Sequence, residues 1–246
     1  MLMRSTLHAK ALPTDHPCAA CDIRLRTFCK TLDAEELRRF KADGPTVAVA
    51  AKQPLFHEGD RADVVFNLTK GSAKLYKLLP DGRRQVTGFL FPGDFLGVTV
   101  DDEHAFSAET LEPSELCRFP RHRFETFVEE RPGMKRELYR LAMHELAAAQ
   151  QQMVLLGRKK AHERLASFLL LLLERCGDAA ERVPLPMNRL DIADYLGLTK
   201  ETVSRAFTAF KAAGIIRLLP GDIVLVLDPP QLGSIASGFG PEIVVQ

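Results

Sequence analysis

Residues 188–214 leave this chain few folds to choose from. Leu190, Ala193 and Leu196 recur at helical spacing, and small Ala193 permits close approach by a second helix. Gly197 supplies a turn, and Thr199 can cap the helix that follows. In that second helix Val203, Ala206, Phe207 and Phe210 fall on one face, and Glu201, Ser204, Arg205 and Thr208 fall on the other. Two apolar segments, 215–219 and 223–227, flank Pro220-Gly221-Asp222 as the strands of a hairpin would. Cap, turn, segregated faces and hairpin agree on a winged helix-turn-helix. The plain alternative is an amphipathic helix pair in some other α-rich domain.

The outward face suits base readout in double-stranded DNA. Arg205 can donate two hydrogen bonds to guanine, Glu201 can accept from cytosine, and Ser204 adapts to either role. With Thr199 and Lys200 at the helix start, these residues form the predicted DNA-contacting set. The chain as a whole carries a formal charge of only +1. Between Thr199 and Arg217, however, Lys200, Arg205, Lys211 and Arg217 outweigh Glu201, so the attraction for phosphate is local.

Upstream the pattern changes. Asp33 reads as the cap of a short helix bearing Leu37 and Phe40. From Thr46 to Phe119 short alternating segments are divided by Gly59-Asp60, Lys70-Gly71, Asp81-Gly82 and Gly93-Asp94, which recur every 11 or 12 residues. That spacing predicts a sandwich or barrel of short antiparallel strands, with a tight hairpin at Asp81-Gly82. A short helix is expected over Arg121–Glu129, and Pro132 stands where a long one would start. Residues 134–160 hold two stripes at coiled-coil spacing, Met143, Ala147, Gln150, Val154 and Gly157, and Ala142, Leu146, Ala149, Met153 and Leu156. Such a helix packs on its own domain or forms a dimer seam, and the breadth of its apolar arc predicts the seam, with Met143, Ala147, Gln150 and Val154 in the homodimer interface. A further helix, Ala161–Cys176, places Leu165, Phe168, Leu169, Leu172 and Cys176 on one face, with Gly177 as its stop.

The chain has five cysteines. Cys176 reads as core. Cys18, Cys21 and Cys29 lie in a short leader, and Cys117 lies where a β-rich domain can bring it alongside. Thiolates held together need a partner charge, so the four read as ligands of a metal or cluster. The first residues have no signal-peptide core, and the longest apolar run, residues 168–173, is far too short for a bilayer. A cytoplasmic location with reduced thiols, and no membrane partner, is therefore expected. His16 is a candidate minor ligand, whereas His57, His104, His122, His144 and His162 read as surface or packing residues. Phe28 either shields the sulfur site or simply packs. No His-x-His pair supports a cupin-like metalloenzyme, which stays a remote alternative to a non-enzyme. Residues 1–17 and 231–246 carry no clear signal.

Turn-glycine β-roll, long helix and a winged helix with Glu-x-x-Ser-Arg together resemble the CRP/FNR family of bacterial transcription factors, over about residues 46–228. The resemblance implies an α+β chain: a cysteine-bearing segment 1–40, a cyclic-nucleotide-binding-like β-roll (jelly roll) over 41–130, a dimerisation helix over 131–160 and a winged helix-turn-helix over 161–246. It also implies a homodimer, contact with RNA polymerase, and a palindrome of TTGA-type half-sites read by Glu201, Ser204 and Arg205. The CRP branch binds cyclic AMP through an acid and an arginine, but here Val98 and Phe106 stand in their places, so cyclic AMP is not expected. Cys18-x2-Cys21-x7-Cys29 with Cys117 is similar to the ligand set of an oxygen-labile 4Fe–4S cluster in FNR proteins. The seven-residue gap is the form of the FnrL, FnrN and FixK-like group. A zinc staple or a thiol switch is the alternative use of four thiols. On this reading the cluster orders residues 18–29 against a loop bearing Cys117 in anoxia, favouring the DNA-binding dimer. Gln150 stands where FNR proteins can carry a seam aspartate, so some dimer is expected even without the cluster.

Overall fold

The structure, a computed structural model, describes residues 12–176 and 181–240; the expectations for residues 1–11, the Cys176 side chain and Gly177 fall outside them. A 3-10 turn (Phe28–Thr31) precedes α1 (Ala34–Asp43), β1 (Thr46–Val49), β2 (Pro54–Phe56), β3 (Val64–Lys70), β4 (Ala73–Leu78), β5 (Arg84–Leu90), β6 (Phe95–Leu96), β7 (Ser107–Thr110) and β8 (Ser114–Pro120). Then follow α2 (Arg121–Glu129), α3 (Pro132–Arg158), α4 (Ala161–Cys176), β9 (Arg182–Pro184), α5 (Arg189–Leu196), α6 (Lys200–Ala212), β10 (Ile216–Leu219), β11 (Ile223–Val226) and α7 (Pro229–Ala236). No helix among the described residues is long and apolar enough to cross a membrane.

Two compact units emerge, one of residues up to Ala73 with Leu90–His144, the other of Lys74–Phe89 with Glu145 onward. In the first, a sheet runs in the order β1-β8-β3-β6, and β2 pairs antiparallel with β7. Its core is aromatic. Phe28, Phe40, Phe119, Phe124 and Phe127 pack together, with Phe40 stacked on Phe119 at 4.2 Å between centroids. Asp33 and Glu36 close a reciprocal capping box that starts α1. In the second unit Leu165, Phe168, Leu169 and Leu172 of α4 are buried, as their spacing predicts. The winged sheet has the order β10-β11-β9; the short strand β9 carries no periodicity of its own and was not anticipated. Nor was α7, whose signal is Asp228 capping a turn that opens with two prolines.

The hairpin at Asp81-Gly82 forms as expected, with Gly82 at φ +84° between β4 and β5. This hairpin belongs to the second unit. Lys74 and Arg84 each reach Asp191 of α5 at 2.8 Å, and Arg84 also reaches Asp194 at 2.8 Å. Gln85 donates to the Asp194 carbonyl, and Phe89 packs on Phe168 and Tyr195. Lys74 and Asp191 are both almost fully buried, so each supplies the counter-charge the other needs away from water.

Candidate sulfur centre and nucleic-acid interface

The leader folds onto the first unit as a series of tight turns. His16, buried, fixes its start: Nδ1 accepts the Cys18 backbone N–H at 3.0 Å, and Nε2 lies 2.9 Å from the Ala34 carbonyl. Because an N–H donates to Nδ1, the proton sits on Nε2 and donates to Ala34. Both ring nitrogens are thus committed, and His16 is a brace for Cys18, not the minor ligand the sequence suggested. Phe28 is fully buried against Phe40, Phe95 and Phe124, so it packs the core. Lys30 next to Cys29 donates to Glu137 of α3 at 2.7 Å, and Arg140 donates to the same carboxylate at 2.6 Å. These two cations hold the Glu137 carboxyl well below the usual range, at about 2.

Cys117 lies within strand β8, not in a loop as expected. It is opposite Thr46 on one side and Asn67 on the other, and the backbone ladders on both sides fix its position. Directly opposed residues share a sheet face, so Thr46, Cys117 and Asn67 form one row. Cys18, Cys21, Cys29 and Cys117 all pack against the aromatic core. Burial pushes the Cys18 thiol up to about 11 and the Cys29 thiol up to about 12, and it raises Cys21 as well. Every pair among the four raises at least one partner's pKa, so the four sulfurs occupy one electrostatic neighbourhood. Among the described residues no three of His, Cys, Asp or Glu stand in metal-holding geometry, so the thiols are gathered without being preset.

This donor set fits a group that takes four thiolates. Cys18, Cys21 and Cys29 are costly to ionise alone in this setting, and a bound cationic centre would remove that cost. Asn67 stands beside this set. It is 2% exposed, it neighbours Cys117 in the sheet, and its Oδ1 has no hydrogen-bond partner.

The helix-turn-helix forms where predicted. Asn188 caps α5 in a reciprocal box with Asp191, and Thr199 caps α6 through Thr202 N–H. Gly197 sits at φ +62°, where a Cβ would meet Leu156 at 3.2 Å, so the turn requires glycine. Arg164 donates to the Leu196 carbonyl at 2.8 Å and closes the C-terminus of α5, a role no local pattern announces. Val203, Ala206, Phe207 and Phe210 are buried, and Glu201, Ser204, Arg205 and Thr208 are exposed. Leu190 is the exception. It is 49% exposed, because the buried face of α5 runs through Ile192, Ala193 and Leu196 instead. Lys200, Lys211 and Arg217 are exposed beside this face. On α3, Met143, Ala147, Gln150 and Val154 are all exposed, as are Leu146 and Met153 of the second stripe.

A β-roll and a winged helix-turn-helix in one chain with a long helix define a sensor-and-reader class of DNA-binding regulator. Residues 46–131 match the model of the cyclic nucleotide-binding domain, and residues 163–235 match the Crp-like helix-turn-helix domain. The nitrogen fixation regulation protein FixK of Bradyrhizobium diazoefficiens is 46% identical over 92% of this chain and 96% of its own. The transcriptional activator protein FnrL of Cereibacter sphaeroides is 37% identical over 92% and 94%. The structure of FixK2 from Bradyrhizobium japonicum matches with a TM-score of 0.74 at 32% identity, covering 82% of this chain and 99% of that one. The chain belongs to the CRP/FNR family of transcription regulators, in its FixK- and FnrL-like branch. It is a DNA-binding regulator and not an enzyme.

Proposed function

We propose that this protein is an oxygen-responsive regulator of transcription in the cytoplasm. On this reading Cys18, Cys21, Cys29 and Cys117 hold a 4Fe–4S cluster, and a homodimer reads a palindrome of TTGA-type half-sites and contacts RNA polymerase. The observation that carries the sensing half is the gathering of all four thiols, from a leader and a distant strand, against one edge of the aromatic core. When bound, the cluster supplies an oxygen-sensitive redox centre. The chain's own residues make that centre matter mechanically. With the cluster bound, Cys18, Cys21 and Cys29 would tie the leader to β8 through Cys117, and Lys30 ties the same leader to α3 through Glu137. A leader fixed at both points holds the first turns of α3 in one register, and α3 carries the exposed apolar stripe that a second copy would cover. Dimerisation then sets two α6 helices about 34 Å apart, one DNA turn. Arg205 and Glu201 project from the exposed face of α6 toward base edges, and Ser204 keeps its acceptor lone pairs while donating to the Lys200 carbonyl.

The test is a titration of a TTGA-type palindrome under nitrogen with wild type and Cys117→Ser. The reading expects tight, salt-dependent binding by wild type and at least tenfold weaker binding by the variant. Equal affinities would remove the link between the thiols and DNA.

A further inference from the structure

We propose that Lys41 is a positioning residue for the sulfur centre, placing a fixed positive charge and an N–H donor on the sulfur of Cys117. This rests on the reading of the four cysteines as cluster ligands. Lys41 lies in the last turn of α1, and its Nζ has three neighbours at hydrogen-bond distance: the Gly44 carbonyl at 3.1 Å, Thr46 Oγ1 at 2.5 Å and Cys117 Sγ at 3.2 Å. An ammonium has three N–H bonds, so every donor of this lysine is committed. Its seat is favourable on other grounds too, since the carbonyl end of α1 attracts a cation. Thr46 faces Cys117 across the β1–β8 ladder, so the strands that fix Cys117 also fix one of the lysine's anchors. A cation hydrogen-bonded to a ligand sulfur stabilises the more negative state of an iron–sulfur centre, because net charge and hydrogen bonds to sulfur set its potential. Lys41 therefore makes the centre easier to reduce and harder to oxidise.

The experiment compares full-length wild type, Lys41→Met, Lys41→Gln and Lys41→Arg, all purified under nitrogen. Iron and acid-labile sulfide are counted, and the one-electron midpoint potential is measured against dithionite. The inference expects Lys41→Met to keep wild-type iron and sulfide counts and to shift its reduction equilibrium at least tenfold toward the oxidised side, about 59 mV for one electron. Lys41→Arg, which keeps the charge, should stay within twofold of wild type. Lys41→Gln keeps an N–H donor without the charge and should shift in the same direction as Lys41→Met; if Lys41→Met fails to load, the Gln and Arg variants decide. Potentials of the Met or Gln variant within twofold of wild type would overturn the role of Lys41 and leave the cluster reading standing. A wild-type protein without iron and sulfide would overturn the cluster reading, and this inference with it.

Discussion

A carboxylate tied to two cations is the clearest single-residue lever in the chain. Glu137 bridges Lys30 of the leader and Arg140 of its own helix, and its pKa falls from an ordinary 4.5 to about 2. A depressed folded-state value contributes stability that is complete above the unfolded pKa and is lost as pH falls through the folded one. The contribution is thus whole at neutral pH and disappears between about pH 4.5 and 2, with a size on the order of 1 kcal/mol because Lys30 and Arg140 are partly exposed to solvent. Glu137→Gln should lower the denaturant midpoint at pH 7 by a corresponding amount and have little effect at pH 2, as followed by circular dichroism. An effect equal at both pH values would deny the ion pair its role. Much at this scale is legible in the sequence, because capping and spacing are local: Asp33 and Thr199 both cap as their neighbours dictate. The bracing role of His16 is not legible there, because its partners, Cys18 N–H and the Ala34 carbonyl, are backbone groups that no side-chain pattern reveals.

Among the elements, α6 and α5 answer to different forces. On the proposed reading the exposed face of α6 meets DNA, so Arg205→Ala should cost about 1–3 kcal/mol of binding and relax discrimination at one base position, whereas Lys200→Ala should weaken all sequences alike and flatten the salt dependence. Binding isotherms on single-base variants of the palindrome at several salt concentrations separate the two. Helix α5 answers to the β4–β5 hairpin through the Lys74–Asp191–Arg84 network. Asp191→Asn removes the buried carboxylate charge that Lys74 and Arg84 share and should destabilise the fold by about 3–5 kcal/mol in a urea melt. A loss under 1 kcal/mol would mean the network is incidental. The elements themselves were readable, since turn glycines and helical stripes recur along the chain: α2 spans Arg121–Glu129 and α3 opens at Pro132, as expected. What was not readable is contact between elements far apart in sequence. The Asp191 network joins residues more than a hundred positions apart, and Cys117 belongs to a strand whose place is fixed by two long-range ladders.

In the whole molecule, the proposed reading gives the exposed stripe of α3 the decisive part in assembly. Leu146, Met153 and Val154 are each more than half exposed, an apolar surface that a second copy would cover. Leu146→Glu and Val154→Glu should each shift the monomer–dimer balance at least tenfold toward monomer by sedimentation. With no carboxylate between Leu146 and Ala161 to repel its mate, apo wild type should retain measurable dimer at micromolar concentration. The central claim is that four gathered thiols make DNA binding depend on oxygen. Its most direct test is to purify the protein under nitrogen, count iron and sulfide, record its absorption and affinity for the palindrome, and repeat all four after air. The account predicts four iron and four sulfide per chain, a brown colour that bleaches, and a parallel loss of DNA affinity. A colourless, zinc-loaded protein whose DNA affinity survives air would contradict it.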